Sequence, residues 1–317
     1  MRYALMTEPQ QGLNYDELLA IVRTAEDAGL EAFFRSDHYA SFPGEAGLNT
    51  TDAWTTLAGL ARETTTIRLG VLVSPVTFRI PGNLAKVIAT VDDMADGRVE
   101  AGFGAGWNQS EHAQLGIPFP PIEDRYDMLE EQMEILHRLW TTDEGWSHEG
   151  RYWTVRDARR HGDVARGGRR HPHVIFGGKG RARLARLVAK YGDEFNLNSA
   201  SPDDAGAAYD RVRRACQDEG RDPDTVVYSA MTGVLVAETA DDLRTRVDDL
   251  LRQIGRGGDD ADAWLAERRG RWVIGTPDEA HERVRALEQQ GTQRVMLQDM
   301  LPRDLEHVRL IGRIFGE

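Results

Sequence analysis

The sequence contains little cysteine, little lysine and no long apolar run. Cys216 is the single cysteine in 317 residues, which excludes an internal disulfide and a cysteine-based metal cluster. The longest apolar run, about residues 69–76, is far shorter than the roughly 20 residues that a membrane-spanning helix needs. Residues 1–6 have the pattern of a first strand and not that of a secretion signal. We therefore predict a cytoplasmic protein that does not bind membranes.

The sequence also lacks a surplus of positive charge. Its 52 acidic residues against 39 lysines and arginines give a net charge of −13, which argues against a general nucleic-acid binder. A His-x-His pattern at the end of the first strand, typical of metal-dependent hydrolase barrels, is missing. His171 and His173 lie at the start of a predicted strand instead of at its end. We expect neither a nucleic-acid partner nor a metal ion.

Strand-like and helix-like segments alternate along the whole chain. The predicted strands are Tyr3–Met6, Glu31–Ser36, Ile67–Ser74, Val99–Gly104, His173–Gly177, Glu194–Leu197, Thr225–Ala237 and Gln293–Gln298. Because a helical segment follows each strand, the pattern predicts a parallel sheet, and eight such units favour a closed barrel. No G-x-G-x-x-G follows the first strand, which disfavours a Rossmann domain. We predict an α/β fold, a (β/α)8 TIM-like barrel.

The predicted barrel is a single domain of residues 1–317 with two excursions. The first, residues 142–170, contains a predicted hairpin at Trp146–Val155 that turns at a Glu-Gly pair. The second, residues 255–271, is rich in arginine and glycine and contains a short predicted helix. Long excursions in a compact barrel usually form lids, interfaces or mobile loops.

Polar residues follow the second and third predicted strands, and in such a barrel these positions contribute to the active site. Asp37 and His38 place a carboxylate beside an imidazole, so they could bind a polar ring edge or pass a proton. Alternatively, Asp37 caps the next loop and His38 lies on the surface. Arg79 could bind a phosphate or carboxylate, or it could form a salt bridge at the barrel rim.

Glycine-rich turns follow the fourth and fifth predicted strands. Residues 102–108 contain three alternating glycines, which leave room for a flat ring or a phosphate to approach the backbone. Trp107 then offers a stacking surface and Asn108 a donor and an acceptor, unless the segment is only a tight turn around a core tryptophan. Residues 177–181 open a helix and include Lys179, a combination that predicts an anion site. The polar residues after the sixth strand are either ligands or structural.

Together these motifs resemble the bacterial luciferase-like monooxygenase superfamily and, more narrowly, its branch of F420-dependent oxidoreductases. The resemblance runs from Tyr3 to about Ile314, and its order and spacing make it specific. The matching pieces are Ser36-Asp37-His38, Leu69–Pro75 with Phe78-Arg79, Asp96–Val99 leading into Gly102–Asn108, Arg125 with Leu129-Glu130-Glu131 and Trp140, Glu149–Tyr152, Gly177-Gly178 and Tyr191–Asn196.

The resemblance implies a barrel, often dimeric, with a flavin or deazaflavin across its strand ends. It implies a bulge with a non-prolyl cis peptide near Leu72-Val73, and it places Asp37 and His38 as catalytic residues beside the ring and the substrate. The cofactor-binding residues that it implies are Asp37, Leu72, Val73, Ser74, Gly104, Gly106, Trp107, Asn108, Gly177, Gly178 and Lys179.

One position departs from the family pattern. Some sugar-phosphate dehydrogenases of this branch use a glutamate in the fourth-strand turn as an acid, and Ala105 stands at that position here. The proton donor is therefore open, with His38 as the first candidate and Glu111 or His112 behind it.

The main hypothesis is hydride transfer between coenzyme F420 and a small organic substrate, in a homodimeric enzyme. An FMN-dependent monooxygenase of the same fold is the alternative, and a non-catalytic cofactor-binding barrel is the third. The shape of the substrate pocket depends on Phe42–Asn49, Trp146–Tyr152 and residues 255–271, which contain no interpretable motif.

Overall fold

A computed structural model describes residues 1–42, 44–160, 171–199 and 201–316. Its strands are β1 Arg2–Thr7, β2 Ala32–Arg35, β3 Arg68–Pro75, β4 Val99–Gly104, β5 Trp146–Glu149, β6 Thr154–Ala158, β7 His173–Gly178, β8 Glu194–Asn198, β9 Val227–Val236, β10 Val273–Gly275 and β11 Arg294–Asp299. Eight of them pair in parallel in the order β1-β2-β3-β4-β7-β8-β9-β11, and β11 pairs back with β1. The barrel is therefore closed, which confirms the predicted TIM-like (β/α)8 fold.

Helices follow the barrel strands and begin at local sequence signals. They are α1 Tyr15–Asp27, α2 Ala53–Glu63, α3 Pro81–Met94, α4 Gln109–Leu115, α5 Ile122–Thr141, α6 Ala182–Tyr191, α7 Pro202–Asp218, α8 Ala240–Gln253, α9 Ala261–Arg268, α10 Pro277–Gln289 and α11 Leu305–Phe315. Asn14 and Glu17 form a reciprocal capping box at the start of α1, and Ser201 with Asp204 forms another at α7. Among the described helices, none is both long and apolar enough to cross a membrane.

The two predicted excursions contain structure of their own. In the first, β5 and β6 form an antiparallel hairpin, while residues 161–170 lie outside the described residues. In the second, α9 leads to β10, which pairs with the last three residues of β9. The sequence did not predict β10, because a three-residue strand is too short to show a periodic pattern.

A buried ion cluster lies at the N-terminal end of the barrel. Arg294, the first residue of β11 and fully buried, donates to Glu100 at 2.5 Å and to Glu194 at 3.1 Å. The imidazole of His173 contacts Glu194 at 3.0 Å. Burial by itself would raise the pKa of both carboxyl groups, but the positive charges around them, above all Arg294, outweigh it and hold both pKa values below the usual range. Glu100, His173 and Glu194 are close enough to bind a metal, but Arg294 already supplies the positive charge.

The third strand carries the irregularity that the family resemblance implied. The pairing of β3 with β4 shifts register between Val71 and Ser74, and the Leu72–Val73 peptide bond is cis. The side chain of Val73 lies against glycines of the two neighbouring strands, since a Cβ atom added at Gly104 or at Gly177 would be 2.7 Å from a Val73 methyl. The prediction that the glycines of the fourth-strand turn leave room for a ring or phosphate stays a prediction, with one limit at the side-chain position of Gly104. Val73 fills the space at Gly104.

We expect Arg294→Met to destabilise the protein by about 3–5 kcal/mol, because the change removes the cation that two buried carboxylates share and leaves Glu100 only Arg68 and Glu194 only His173. Urea unfolding at pH 7 measures the effect. Both carboxyl groups have lowered pKa values in the folded protein, so their contribution is present above the ordinary glutamate pKa of 4.5 and is lost as the pH falls. Wild-type stability should therefore drop below that pH.

Arg313→Met is the matched control for this change. It removes an exposed ion pair with Glu238, 3.0 Å long with both side chains more than half exposed, and such pairs contribute at most about 1 kcal/mol. Equal losses of stability in the two variants would contradict the assigned role of Arg294.

We expect Gly104→Ala to reduce the free energy of unfolding by about 1–3 kcal/mol, because its methyl group meets Val73 in a filled site. Gly82→Ala, in the first turn of α3, is the control because a Cβ atom there has no neighbour within 4 Å. Thermal or urea unfolding of both variants checks the expectation. A Gly104→Ala protein as stable as the Gly82→Ala protein would show that Val73 moves aside freely.

Candidate functional site

A cleft of about 810 Å³ opens at the C-terminal ends of the barrel strands, within the size range of small-molecule sites. Ten of the twelve predicted site residues line this cleft: Asp37, His38, Leu72, Val73, Gly104, Gly106, Trp107, Gly177, Gly178 and Lys179. Ser74 and Asn108 do not line it. The strand ends thus bring together residues that are far apart in the sequence, as the barrel prediction requires.

The carboxylate of Asp37 is held by the arginine that follows the third strand. Arg79 donates to both oxygens of Asp37, at 2.5 and 3.2 Å, and the hydroxyl of Ser74 donates at 3.1 Å. Asp37 is 1% exposed. Since both oxygens are engaged, we now expect Asp37 to position the strand ends and not to transfer a proton. Of the two interpretations of Arg79, the structure shows the rim salt bridge.

The same arginine joins a second carboxylate and a tyrosine. Arg79 also contacts Asp52, which accepts a hydrogen bond of 2.6 Å from the hydroxyl of Tyr39. Burial lowers the pKa of Arg79, but the nearby negative charges, first that of Asp37, outweigh it and raise the pKa above the usual range. Burial, followed by the charge of Asp37, raises the pKa of Tyr39. Arg79 and Tyr39 therefore keep their protons at neutral pH.

His38 forms a dyad with a glutamate from α4. Its Nδ1 lies 3.0 and 3.1 Å from the two carboxylate oxygens of Glu111, which also accept the backbone N–H of Tyr39 at 3.1 Å. Glu111 is 1% exposed. A carboxylate at Nδ1 favours the proton on that nitrogen in the neutral ring, which leaves Nε2 as the acceptor. The His38–Glu111 dyad can thus take up and release a proton at Nε2.

His112 and Asn108, which lie near the dyad in sequence, make contacts within the protein. Both ring nitrogens of His112 are engaged, Nδ1 with the carbonyl oxygen of Asn108 at 2.7 Å and Nε2 with the hydroxyl of Thr77 at 2.6 Å. His112 is therefore a poor proton donor. The side-chain oxygen of Asn108 accepts the backbone N–H of Ser110 at 3.2 Å and caps α4, so this oxygen has a structural role; the predicted cofactor contact of Asn108 stays a prediction.

The turn after β7, which is the fifth strand of the sequence prediction, forms a positively charged end of the cleft. The helix α6 begins there without a side-chain cap and without an acidic residue in its first turn. Lys179 and Arg181 line the cleft beside it; Lys179 donates to the carbonyl oxygen of Asn198 at 2.8 Å, whereas Arg181 has no ion-pair partner among the described residues. A helix N-terminus and two cations are the combination that suits an anion, so the predicted anion site at this position stays a prediction.

Sequence reasoning missed the residues after the first and last barrel strands. Glu8 and Gln10 follow β1, and Gln298 lies at the end of β11; all three line the cleft. The carboxylate of Glu8 accepts hydrogen bonds from the amide groups of Gln10, at 2.6 Å, and Gln298. The sequence could have indicated these residues, because they are polar and stand at the C-terminal ends of predicted strands, like the other site residues.

Two characterised proteins match the sequence over long regions. Pyrimidine monooxygenase RutA of Allorhizobium ampelinum is 27% identical over 281 residues, 84% of this chain and 72% of that protein. The F420-dependent glucose-6-phosphate dehydrogenase of Beutenbergia cavernae is 32% identical over 186 residues, 58% of this chain and 52% of that enzyme. The match thus spans about half the length of the second relative.

Solved structures share the whole fold at low identity. An F420-dependent secondary alcohol dehydrogenase, solved with an F420-acetone adduct, superposes with a TM-score of 0.80 at 17% identity, over 99% of this chain and 97% of that one. The oxygenating constituent of 3,6-diketocamphane monooxygenase from Pseudomonas putida, solved with FMN, superposes with a TM-score of 0.77 at 18% identity. The superposition covers 100% of this chain and 98% of that one. The sequence model of the luciferase-like monooxygenases matches residues 1–294, so this chain belongs to the luciferase-like monooxygenase family.

Proposed function

We propose that the protein is an oxidoreductase that transfers a hydride between the deazaflavin coenzyme F420 and a small organic substrate. The observation that carries this proposal is the composition of the cleft, which has an anion site at one end and the His38–Glu111 dyad at the other. The family contains F420-dependent and flavin-dependent members. The 32% identity to an F420-dependent enzyme supports the first group.

The cleft fits a flat cofactor with an anionic tail. Leu72, Val73 and Met231 line it with apolar groups, suited to a ring. Lys179 and Arg181, with the start of α6, would bind the phosphate of the tail. The bound deazaflavin would supply the hydride chemistry, while the protein supplies orientation and a proton.

The His38–Glu111 dyad would handle that proton. Nε2 of His38 would give a proton to a substrate oxygen, or take one from it, and Glu111 would stabilise the imidazolium form across the short contact at Nδ1. Glu111 of α4 would thus supply the carboxylate that is missing at Ala105. It acts through the imidazole, as a positioning group.

A flavin-dependent monooxygenase is the second candidate. The match to RutA covers 84% of the chain, more than the match to the F420-dependent relative, and Ala105 removes an acid that the sugar-phosphate dehydrogenases use. Oxygen uptake with reduced FMN would favour this candidate. A protein that binds either cofactor and turns over no donor or acceptor would be a non-catalytic barrel.

Cofactor choice is tested by titrating the protein with F420 and with FMN and following absorbance and fluorescence. We expect F420 to bind, and Arg181→Gln to weaken its binding about tenfold, less at high salt, because the change removes one cation from the anion site. Arg186→Gln, exposed on the same helix and outside the cleft lining, should leave F420 affinity unchanged. Tight FMN binding without F420 binding would contradict the proposal.

The proton role is tested with His38→Gln. We expect kcat to fall about 10²- to 10⁴-fold, the usual contribution of a positioned acid–base group, while the dissociation constant of F420 stays unchanged. Glu111→Gln should give a smaller loss of kcat, because the imidazole remains. His281→Gln on α10, away from the cleft, is the control. Wild-type kcat in the His38→Gln enzyme would exclude the dyad from catalysis.

A further inference from the structure

We infer that the substrate carries a flat, uncharged apolar group that binds against Trp107 and Phe42, beside His38. This inference rests on the proposed function and adds the substrate class. It moves Trp107 from the predicted cofactor contacts to the substrate contacts, and it excludes a phosphorylated sugar as the substrate.

Three rings at the mouth of the cleft hold each other edge to face. Phe42 lies between the other two, with ring centroids 4.5 Å from His38 at 84° and 5.3 Å from Trp107 at 88°. His38 and Trp107 are 5.7 Å apart at 79°. All three residues line the cleft. Each contact sets the edge of one ring against the face of another, so the available surface is the part of Trp107 that faces away from these contacts; this residue is 66% exposed.

Trp107 is exposed although it is the largest apolar residue of the cleft. Its exposed fraction is 66%, the highest among the large exposed apolar residues of the described chain. The preceding Gly106 has a φ of +75°, and a Cβ atom there would lie 3.2 Å from Pro75, so glycine permits the turn that presents the indole. An apolar surface rimmed by polar groups is typical of a ligand contact.

The charges of the cleft separate into two halves, which determines what can bind at the aromatic wall. In the closed order of eight strands, β1 lies opposite β7. Glu8 follows β1, and Glu111 faces His38 after β2, whereas Lys179 and Arg181 follow β7. Glu123, the carboxylate on the positive side, is paired with Arg183 at 3.2 Å. Two arginines on the acidic side already have partners: Arg79 contacts two carboxylates, and Arg125 donates to the carbonyl oxygens of Ala105 and Pro120.

An anionic substrate would be repelled at this wall by the carboxylate of Glu111, because the arginines on this side already have partners in the part of the chain that the structure describes. The anion site on the opposite half is needed for the cofactor tail. The substrate group that remains compatible is therefore neutral, with an oxygen within reach of His38 and an apolar plane against Trp107.

The test uses the F420-loaded protein and measures dissociation constants by calorimetry for benzaldehyde and for glucose 6-phosphate. We expect benzaldehyde to bind more tightly than glucose 6-phosphate. Trp107→Ala should weaken benzaldehyde binding on the order of tenfold, from the loss of ring contacts, while Trp107→Phe keeps most of the affinity. With an aromatic alcohol or aldehyde that is turned over, Trp107→Ala should raise KM more than it lowers kcat.

Ile80→Ala is the control, because Ile80 is similarly exposed, at 64%, and does not line the cleft. It should leave both affinities unchanged. Tighter binding of glucose 6-phosphate than of benzaldehyde would overturn the inference, and so would a Trp107→Ala protein that loses F420 affinity but keeps benzaldehyde affinity. If the protein binds neither F420 nor FMN, yet Trp107→Ala still weakens benzaldehyde binding, the proposed function fails and the substrate inference stands.

Discussion

The salt bridge between Asp37 and Arg79 is the contact on which the arrangement of the cleft depends. It ties the end of β2 to the segment after β3, and Ser74 of β3 donates to the same carboxylate. The buried charges of Asp37 and Arg79 compensate each other, so loss of either would leave an uncompensated charge inside the protein. His38 follows Asp37 directly, so this salt bridge holds the backbone beside it, while Glu111 holds the imidazole itself.

Two buried charge clusters at opposite ends of the barrel have different tasks. At the N-terminal end, Arg294 neutralises Glu100 and Glu194, and all three side chains are buried. At the C-terminal end, the cluster around Arg79 lies beneath an open cleft. The separation agrees with the general division of such barrels, in which the N-terminal end serves stability and the C-terminal end serves function.

The cleft itself is divided by charge. Its positive side follows β7 and suits an anionic cofactor tail, while its acidic and aromatic side follows β1, β2 and β4 and suits a neutral apolar substrate. Val73 lies between the two sides, on the floor, where glycines of β4 and β7 make room for its methyl groups. The strand order therefore places the proposed cofactor tail and the inferred substrate group on opposite sides of the same cleft.

The sequence by itself determined the barrel, because strand and helix periodicity and capping signals are local, as at Asn14 and Glu17. The family resemblance placed a third-strand bulge near Leu72-Val73, and the structure has it there. Only the tertiary structure decided which side chains meet. Glu111 lies 73 residues from His38, and Val73 fills the space at Gly104, which the sequence left open for a ligand. Such contacts depend on how strand ends are arranged around a closed barrel, and local patterns contain no information about that arrangement.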